Sequence, residues 1–205
     1  MGKYEAKKPR QEKQQFFPEI VMEYAHDLAY ILAVVLLLFT FLTRVVVVDG
    51  DSMFHTLVEG DYLMLINNPI CGKLEQGDIV VASLDRFKDG EPIIKRVIAT
   101  EGQLVDIDFD KGVVYVDGEM LNEPYTYTDT NISEGMEFPL VVDEGCLFLM
   151  GDNRNGSMDS RDPRIGIVDE REILGKAVLL LVPGDGSWDH PVQRDFTRIG
   201  GLNHG

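Results

Sequence analysis

From Leu28 to Thr43 the chain carries no charged residue, and the run reads Leu-Ala-Tyr-Ile-Leu-Ala-Val-Val-Leu-Leu-Leu-Phe-Thr-Phe-Leu-Thr. Such a run has no polar face, so a helix built from it has nothing to turn toward water. Continued past Arg44 by Val45 to Val48, it approaches the ~20 residues that a bilayer core demands. A membrane span over residues 28–44 is therefore expected, in preference to a buried core helix. Tyr30 and Arg44 can place their polar tips at the two interfaces. A cleavable leader fits less well, because Arg-Val-Val-Val-Val follows the run and offers no pair of small residues to cut. Lys3, Lys7, Lys8, Arg10 and Lys13 precede the run. Positively charged flanks stay inside, so residues 1–27 are expected in the cytoplasm and residues from about 45 onward outside.

Charge separates the two sides. Residues 45–205 hold 13 Lys or Arg against 30 Asp or Glu, within a chain of 205 residues and formal net charge −16. So acidic a domain argues against a nucleic-acid partner, which needs clustered cations. It keeps the domain soluble and repelled from anionic lipid while the tether holds it near. Cys71 and Cys146 are too few for a disulfide framework and could be paired or free. They form no metal-ligand spacing with His26, His55, His190 or His204, so no metal or cofactor is expected.

Beyond residue 45 the pattern is mainly β. Short β-branched runs at Tyr62–Ile66, Ile79–Ala82, Ile93–Ala99, Gln103–Ile107, Val113–Val116, Leu147–Met150 and Ala177–Val182 alternate with Gly-Asp, Asp-Gly and Asn-Asn-Pro turns. Asp117-Gly118 between two such runs predicts a tight hairpin. Residues 122–146 are acidic and turn-rich and are expected to make a loop excursion. The glycine-bearing tail over 184–205 is expected to be flexible. The organisation expected is thus a segment 1–27, a span 28–44, a β-domain 45–183 and a tail.

Three stretches can carry chemistry. Val45–Val48 reads as a strand broken by Asp49-Gly50-Asp51, which leaves Ser52 on a turn with its hydroxyl available. In Pro92-Ile93-Ile94-Lys95-Arg96-Val97-Ile98, alternation puts Lys95 on the face of Ile93 and Val97, and Arg96 on the other. A desolvated lysine loses its charge more readily and can act as a general base, whereas arginine cannot. The third, Gly151-Asp152-Asn153-Arg154-Asn155-Gly156-Ser157-Met158-Asp159-Ser160-Arg161, mixes turn residues with carboxylates and arginines able to pair bidentately.

Taken together, Ser52-Met53-x-x-Thr56-Leu57-x-x-Gly60-Asp61, Ile94-Lys95-Arg96-Val97 and Gly151-Asp152-Asn153-Arg154-x-x-Ser157-x-Asp159-Ser160-Arg161 resemble the type I signal peptidase (leader peptidase) family. The resemblance runs from about Leu28 to Pro183 and is to the compact, Gram-positive-like type. It implies an antiparallel, barrel-like catalytic domain and a membrane-bound serine endopeptidase cutting secretory precursors after small residues. Ser52 would be the nucleophile, its backbone N–H an oxyanion donor, and Lys95 the general base. Ser157 would hydrogen-bond and orient the Lys95 amine. Asp159 with Arg161, and Asp152 with Arg96, would support the site. The enzyme would work as a monomer. His55 stands where the family usually has proline, and Gly50 where some members have a serine as a second oxyanion donor. A Ser52–His55 dyad is disfavoured, because three residues along a strand put the two side chains on opposite faces. A different class of reading, an anchored scaffold of the same fold without turnover, is weakened by the presence of both Ser52 and Lys95.

Overall fold

The computed structural model describes residues 17–187 and 189–202. The basic cluster Lys3–Lys13 and His204 lie outside the described residues. Two units are present, divided between Phe41 and Leu42.

The first unit is a helix, α1 (Phe17–Leu42). Its stretch Val21–Leu42 has a mean hydropathy of 2.1 and buries nothing within the chain. At ~1.5 Å per residue those 22 residues reach about 33 Å, enough for a hydrocarbon core of ~30 Å. The helix begins well before Leu28, because polar residues such as Glu23, His26 and Asp27 suit a helix as well as a loop. It ends at Leu42, where Thr43 and Arg44 enter a strand instead of completing the apolar run. Four consecutive valines explain this, since their branched side chains favour the pleated backbone.

The second unit is antiparallel β. Its larger sheet is built from β1 (Thr43–Val47), β2 (Tyr62–Asn67), β3 (Ile79–Ser83) and β4 (Pro92–Thr100). Within the smaller sheet lie β5 (Leu104–Asp108), β6 (Val113–Val116), β7 (Glu119–Met120) and β8 (Leu140–Val141). The chain then returns to the larger sheet with β9 (Cys146–Met150), β10 (Val168–Asp169), β11 (Ile173–Val182) and β12 (Gly200–Gly201). The strand order is β1-β2-β11-β3-β4-β9-β10, with β12 against β11; the second sheet runs β7-β6-β5-β8. The Asp117-Gly118 hairpin forms as expected: Val116 pairs with Glu119, and both turn residues have positive φ, 53° and 82°. That is the backbone a two-residue turn of matching twist requires.

Strand β4 is central and covered on both faces, so it reads as a nearly continuous apolar run. Ile93 and Val97 pack with Val80, Leu147 and Leu149, while Ile98 joins Phe148, Met150 and the inner residues of the smaller sheet. Lys95 and Arg96, at 4 % and 1 % exposed, are thereby carried into the interior on opposite faces. A third cluster joins Met53 and Leu57 to Leu63, Leu65, Val81 and Ala177. Burying each such side chain is worth roughly 1.5–3 kcal/mol. Val48, before the serine, belongs to the same cluster as Met53 after it, so the turn that carries Ser52 is bolted to the sheet on both sides. Met53, 1 % exposed, is core.

Residues 122–139 form no strand, yet they are held down. Arg154 pairs with Glu123 and bonds Thr130 Oγ1 at 2.7 Å, and Arg161 donates to Ile132 O at 2.9 Å. The tail also departs from a flexible one. Arg198 donates to both carboxylate oxygens of Asp61, at 3.1 and 2.7 Å, and β12 pairs with β11. The Gly184 N–H donates to Asp61 as well, at 2.7 Å. Asp61 is fully buried, and a buried carboxylate needs such partners.

Candidate active site

Ser52 sits in the irregular turn after β1, reached through Asp49-Gly50-Asp51, with Gly50 at φ 83°. Lys95 comes from the middle of β4. Between them the distance is 2.8 Å, from Lys95 Nζ to Ser52 Oγ. The amine also donates to the Ile94 carbonyl at 3.1 Å. Such a separation suits either direction of proton traffic: an ammonium donates to the hydroxyl, and a neutral amine accepts from it.

Both residues line a cavity of about 630 Å³ together with Ser157. Its apolar wall includes Val46, Val81, Phe87, Ile93 and Met158, and its acidic groups include Glu91 and Glu134. Burial pushes the Glu134 carboxyl up to about 7, aided by the charge of Asp159 and opposed by Arg161.

The stretch 151–161 forms the floor. Gly151 approaches so closely that a Cβ there would lie 2.2 Å from Ser157 Oγ and 2.4 Å from Ser52 O. This glycine is needed for space. Asn153 binds the nucleophile turn twice, through its N–H to Ser52 O at 3.0 Å and its Nδ2 to Asp51 O at 3.1 Å. Asp159 accepts the Gly151 N–H at 3.0 Å and is gripped by Arg161 through two bonds of 2.8 Å. Asp152 is held likewise by Arg96, at 2.9 and 2.7 Å, with Tyr125 stacked 3.9 Å from the guanidinium. Arg96, Arg154 and Arg161 are at most 1 % exposed, and each has a carboxylate. Planar forks and paired oxygens give such pairs fixed geometry.

Each residue expected from the sequence thus falls in or beside one cavity, with one difference. Ser157 is buried on the cavity wall, but its Oγ has no hydrogen-bond partner among the described residues, so the expected bond to the Lys95 amine is not made. The amine donates to Ser52 Oγ and Ile94 O. His55 is exposed, with its ring beside Phe54 and Tyr127, while the Ser52 hydroxyl meets Lys95. Cys71 and Cys146 are free thiols. Among the described residues no His, Cys, Asp and Glu gather as a metal site. Reasoning from sequence missed Gly151 as a close approach, Asn153 as a tie, and Asp51 with His190, whose separation of 139 positions leaves no local signal.

Comparison with known proteins supplies the class. Residues 21–182 match the family described as signal peptidase, peptidase S26, and the chain belongs to that family of serine proteases. A signal peptidase I of Bacillus amyloliquefaciens is 32 % identical over 170 residues, covering 78 % of this chain and 85 % of its own. The signal peptidase I S of Bacillus subtilis is 29 % identical over 172 residues, covering 80 % and 90 %. A crystal structure of a signal peptidase I from Enterococcus faecalis aligns with TM-score 0.42 at 28 % identity, over 51 % of this chain and 96 % of that one. Within the family, then, the chain is a serine protease of the signal peptidase I type.

Proposed function

We propose that the protein is a membrane-anchored endopeptidase that removes signal peptides from secretory precursors, with Ser52 as nucleophile and Lys95 as general base. The observation that carries this reading is the 2.8 Å contact between a hydroxyl and the amine of a lysine that is only 4 % exposed. Excluding water disfavours the ammonium form, and the neutral amine can take the Ser52 proton as Oγ attacks the scissile carbonyl. The Ser52 N–H, free of any partner among the described residues, is available to the oxyanion. Protonated Lys95 then gives its proton to the departing amine, which is the new N-terminus of the mature protein. Water, losing a proton to Lys95, hydrolyses the acyl-enzyme and frees the signal peptide.

Asp152–Arg96 and Asp159–Arg161 act by fixing the floor that carries Gly151 and Ser157. Ser157 lines the same cavity with an unpaired hydroxyl. The apolar wall favours small, uncharged residues before the cut. Helix α1 holds the enzyme in the membrane with its N-terminus in the cytoplasm, on the surface where precursors are also anchored. Sharing one plane raises the effective concentration of each for the other.

The test is incubation of detergent-solubilised protein with a synthetic precursor peptide, with the cut mapped by mass. One cut after a small residue is expected, with Ser52→Ala and Lys95→Met folded and inactive. Substantial cleavage by either variant contradicts the assignment. A β-lactam-type acylating agent should label Ser52; failure to label or cleave would favour the scaffold reading.

A further inference from the structure

Asp51, the residue before the nucleophile, is held by a segment the sequence leaves far away. Its Oδ2 accepts from Ser187 Oγ at 2.5 Å and lies 3.1 Å from His190 Nδ1. An ionised carboxylate only accepts, so Nδ1 carries the hydrogen in this contact. Ser187 Oγ in turn accepts the His190 backbone N–H at 3.0 Å, which closes a small ring of bonds around the carboxylate. The imidazole also lies against Phe54, two residues after the nucleophile, with centroids 4.6 Å apart and planes inclined by 31°. Tyr127 meets both rings edge-on, at 4.8 Å from Phe54 and 6.0 Å from His190. Asp51 O is tied from the opposite direction by Asn153.

One imidazole therefore grips the nucleophile turn at two points, Asp51 by hydrogen bond and Phe54 by ring contact, with Ser52 between them. The segment that delivers it is anchored in its own right. Gly186 bridges to Pro191, the Val192 N–H donates to Asp185 O at 2.9 Å, and Arg198 clamps Asp61 at the far end of the turn. A turn pinned only by Val48 and Met53 could still rotate about the backbone between them and shift Ser52 Oγ relative to Lys95. The grip on positions 51 and 54 removes that freedom.

Resting on the assignment of Ser52 as nucleophile, we propose that His190 is a positioning residue for the cleavage reaction, acting through Asp51 and Phe54 to hold Ser52 Oγ in register with Lys95 Nζ. It touches no reacting atom. Its loss should therefore lower kcat and leave KM unchanged, because the turn's orientation matters to the attack and not to the docking of the precursor. A misplacement of about 1 Å can cost on the order of 100-fold in rate. The turn keeps its core anchors, so roughly 10-fold is the loss expected for His190→Ala.

The experiment measures kcat and KM of the full chain in detergent micelles on a synthetic precursor peptide, together with the rate of Ser52 labelling by a β-lactam-type acylating agent. The variants are His190→Ala, His190→Asn, Asp51→Ala, the Asp51→Ala/His190→Ala double and Ser52→Ala. Asparagine can present an amide N–H close to the position of Nδ1, so His190→Asn should recover most of the rate. The double variant should be no slower than the slower single, since both remove the same link. Wild-type kcat in His190→Ala overturns the proposal, as does a His190→Asn as slow as the alanine variant, or losses that multiply in the double. Should His190→Ala melt below the assay temperature, His190→Asn and Ser187→Ala decide by the same readout. Cleavage surviving in Ser52→Ala would instead remove the assignment on which the proposal stands; a dead Ser52→Ala beside a full-speed His190→Ala removes only the role of His190.

Discussion

Replacing Gly151 by alanine puts a methyl carbon 2.2 Å from Ser157 Oγ, 2.5 Å from Ser157 Cβ and 2.4 Å from Ser52 O. Ordinary contact begins near 3.4 Å, so the Ser52 carbonyl must retreat by about 1 Å along that line. Rotating the Ser157 side chain could relieve its hydroxyl, but the Ser52 carbonyl is backbone and can move only with its turn. That turn is fixed by buried Met53 and Leu57 and by the Asn153 N–H on the same carbonyl. Overpacking of this kind costs ~1–3 kcal/mol. For a domain of this size it lowers Tm by roughly 2–12 °C. Activity should suffer more than stability, since a 1 Å displacement of the nucleophile costs on the order of 100-fold in kcat. The control is Gly201→Ala, whose added Cβ would come no nearer than 3.9 Å to Val178 O. Precursor-peptide kinetics and a thermal melt on both variants make the assay. Gly201→Ala should match wild type in each; a Gly151→Ala enzyme with wild-type kcat would refute the claim that this glycine sets the spacing of Ser52.

Asp152→Ala strands the Arg96 guanidinium at 1 % exposure and should cost ~3–5 kcal/mol, read as a lower urea midpoint; an unchanged midpoint means that water or another acceptor replaces the carboxylate. Arg198→Ala removes two bonds from the buried Asp61 carboxylate but leaves those from the Val58 and Gly184 N–H groups, so a smaller loss of ~1–3 kcal/mol should appear in the same titration, and none at all would make the tail's attachment inconsequential. Glu134, held up near 7 from an ordinary 4.5, binds its proton more tightly folded than unfolded, so it lowers stability as pH rises from about 4.5 to 7. Glu134→Gln should thus be more stable than wild type at pH 8, with the advantage fading below pH ~5; equal stability at both pH values would show that the carboxyl titrates as in water.

Much of the fold was legible because it depends on local pattern. Period-two alternation and Gly-Asp or Asp-Gly turns located the main strands to within a few residues, and Asp117-Gly118 formed its hairpin for reasons contained in the dipeptide. The start of α1 was missed, because an apolar run reports what a membrane accepts and not where a helix begins. The tail misled for a related reason: its glycines suggest freedom, but Gly184 permits a close approach, its added Cβ falling 2.1 Å from Glu59 O. At the site, Ser52, Lys95, Asp152, Asp159 and Arg161 could be named from motifs. The unpaired Ser157 hydroxyl and the His190 grip could not, since both depend on where separate segments stop relative to one another.

What the sequence settled by itself was an apolar N-terminal helix long enough to cross a membrane, a β-domain and the kinds of group available for chemistry: a serine on a turn and a lysine on an apolar strand. Local preferences and burial decide such things residue by residue. The tertiary structure alone decided that the two meet at 2.8 Å, that a glycine 99 positions from the serine sets the room around it, and that a histidine from the last segment grips the turn. Those facts come from packing three distant segments against one sheet, and packing responds to shape at the scale of an ångström, which no spacing along a chain records.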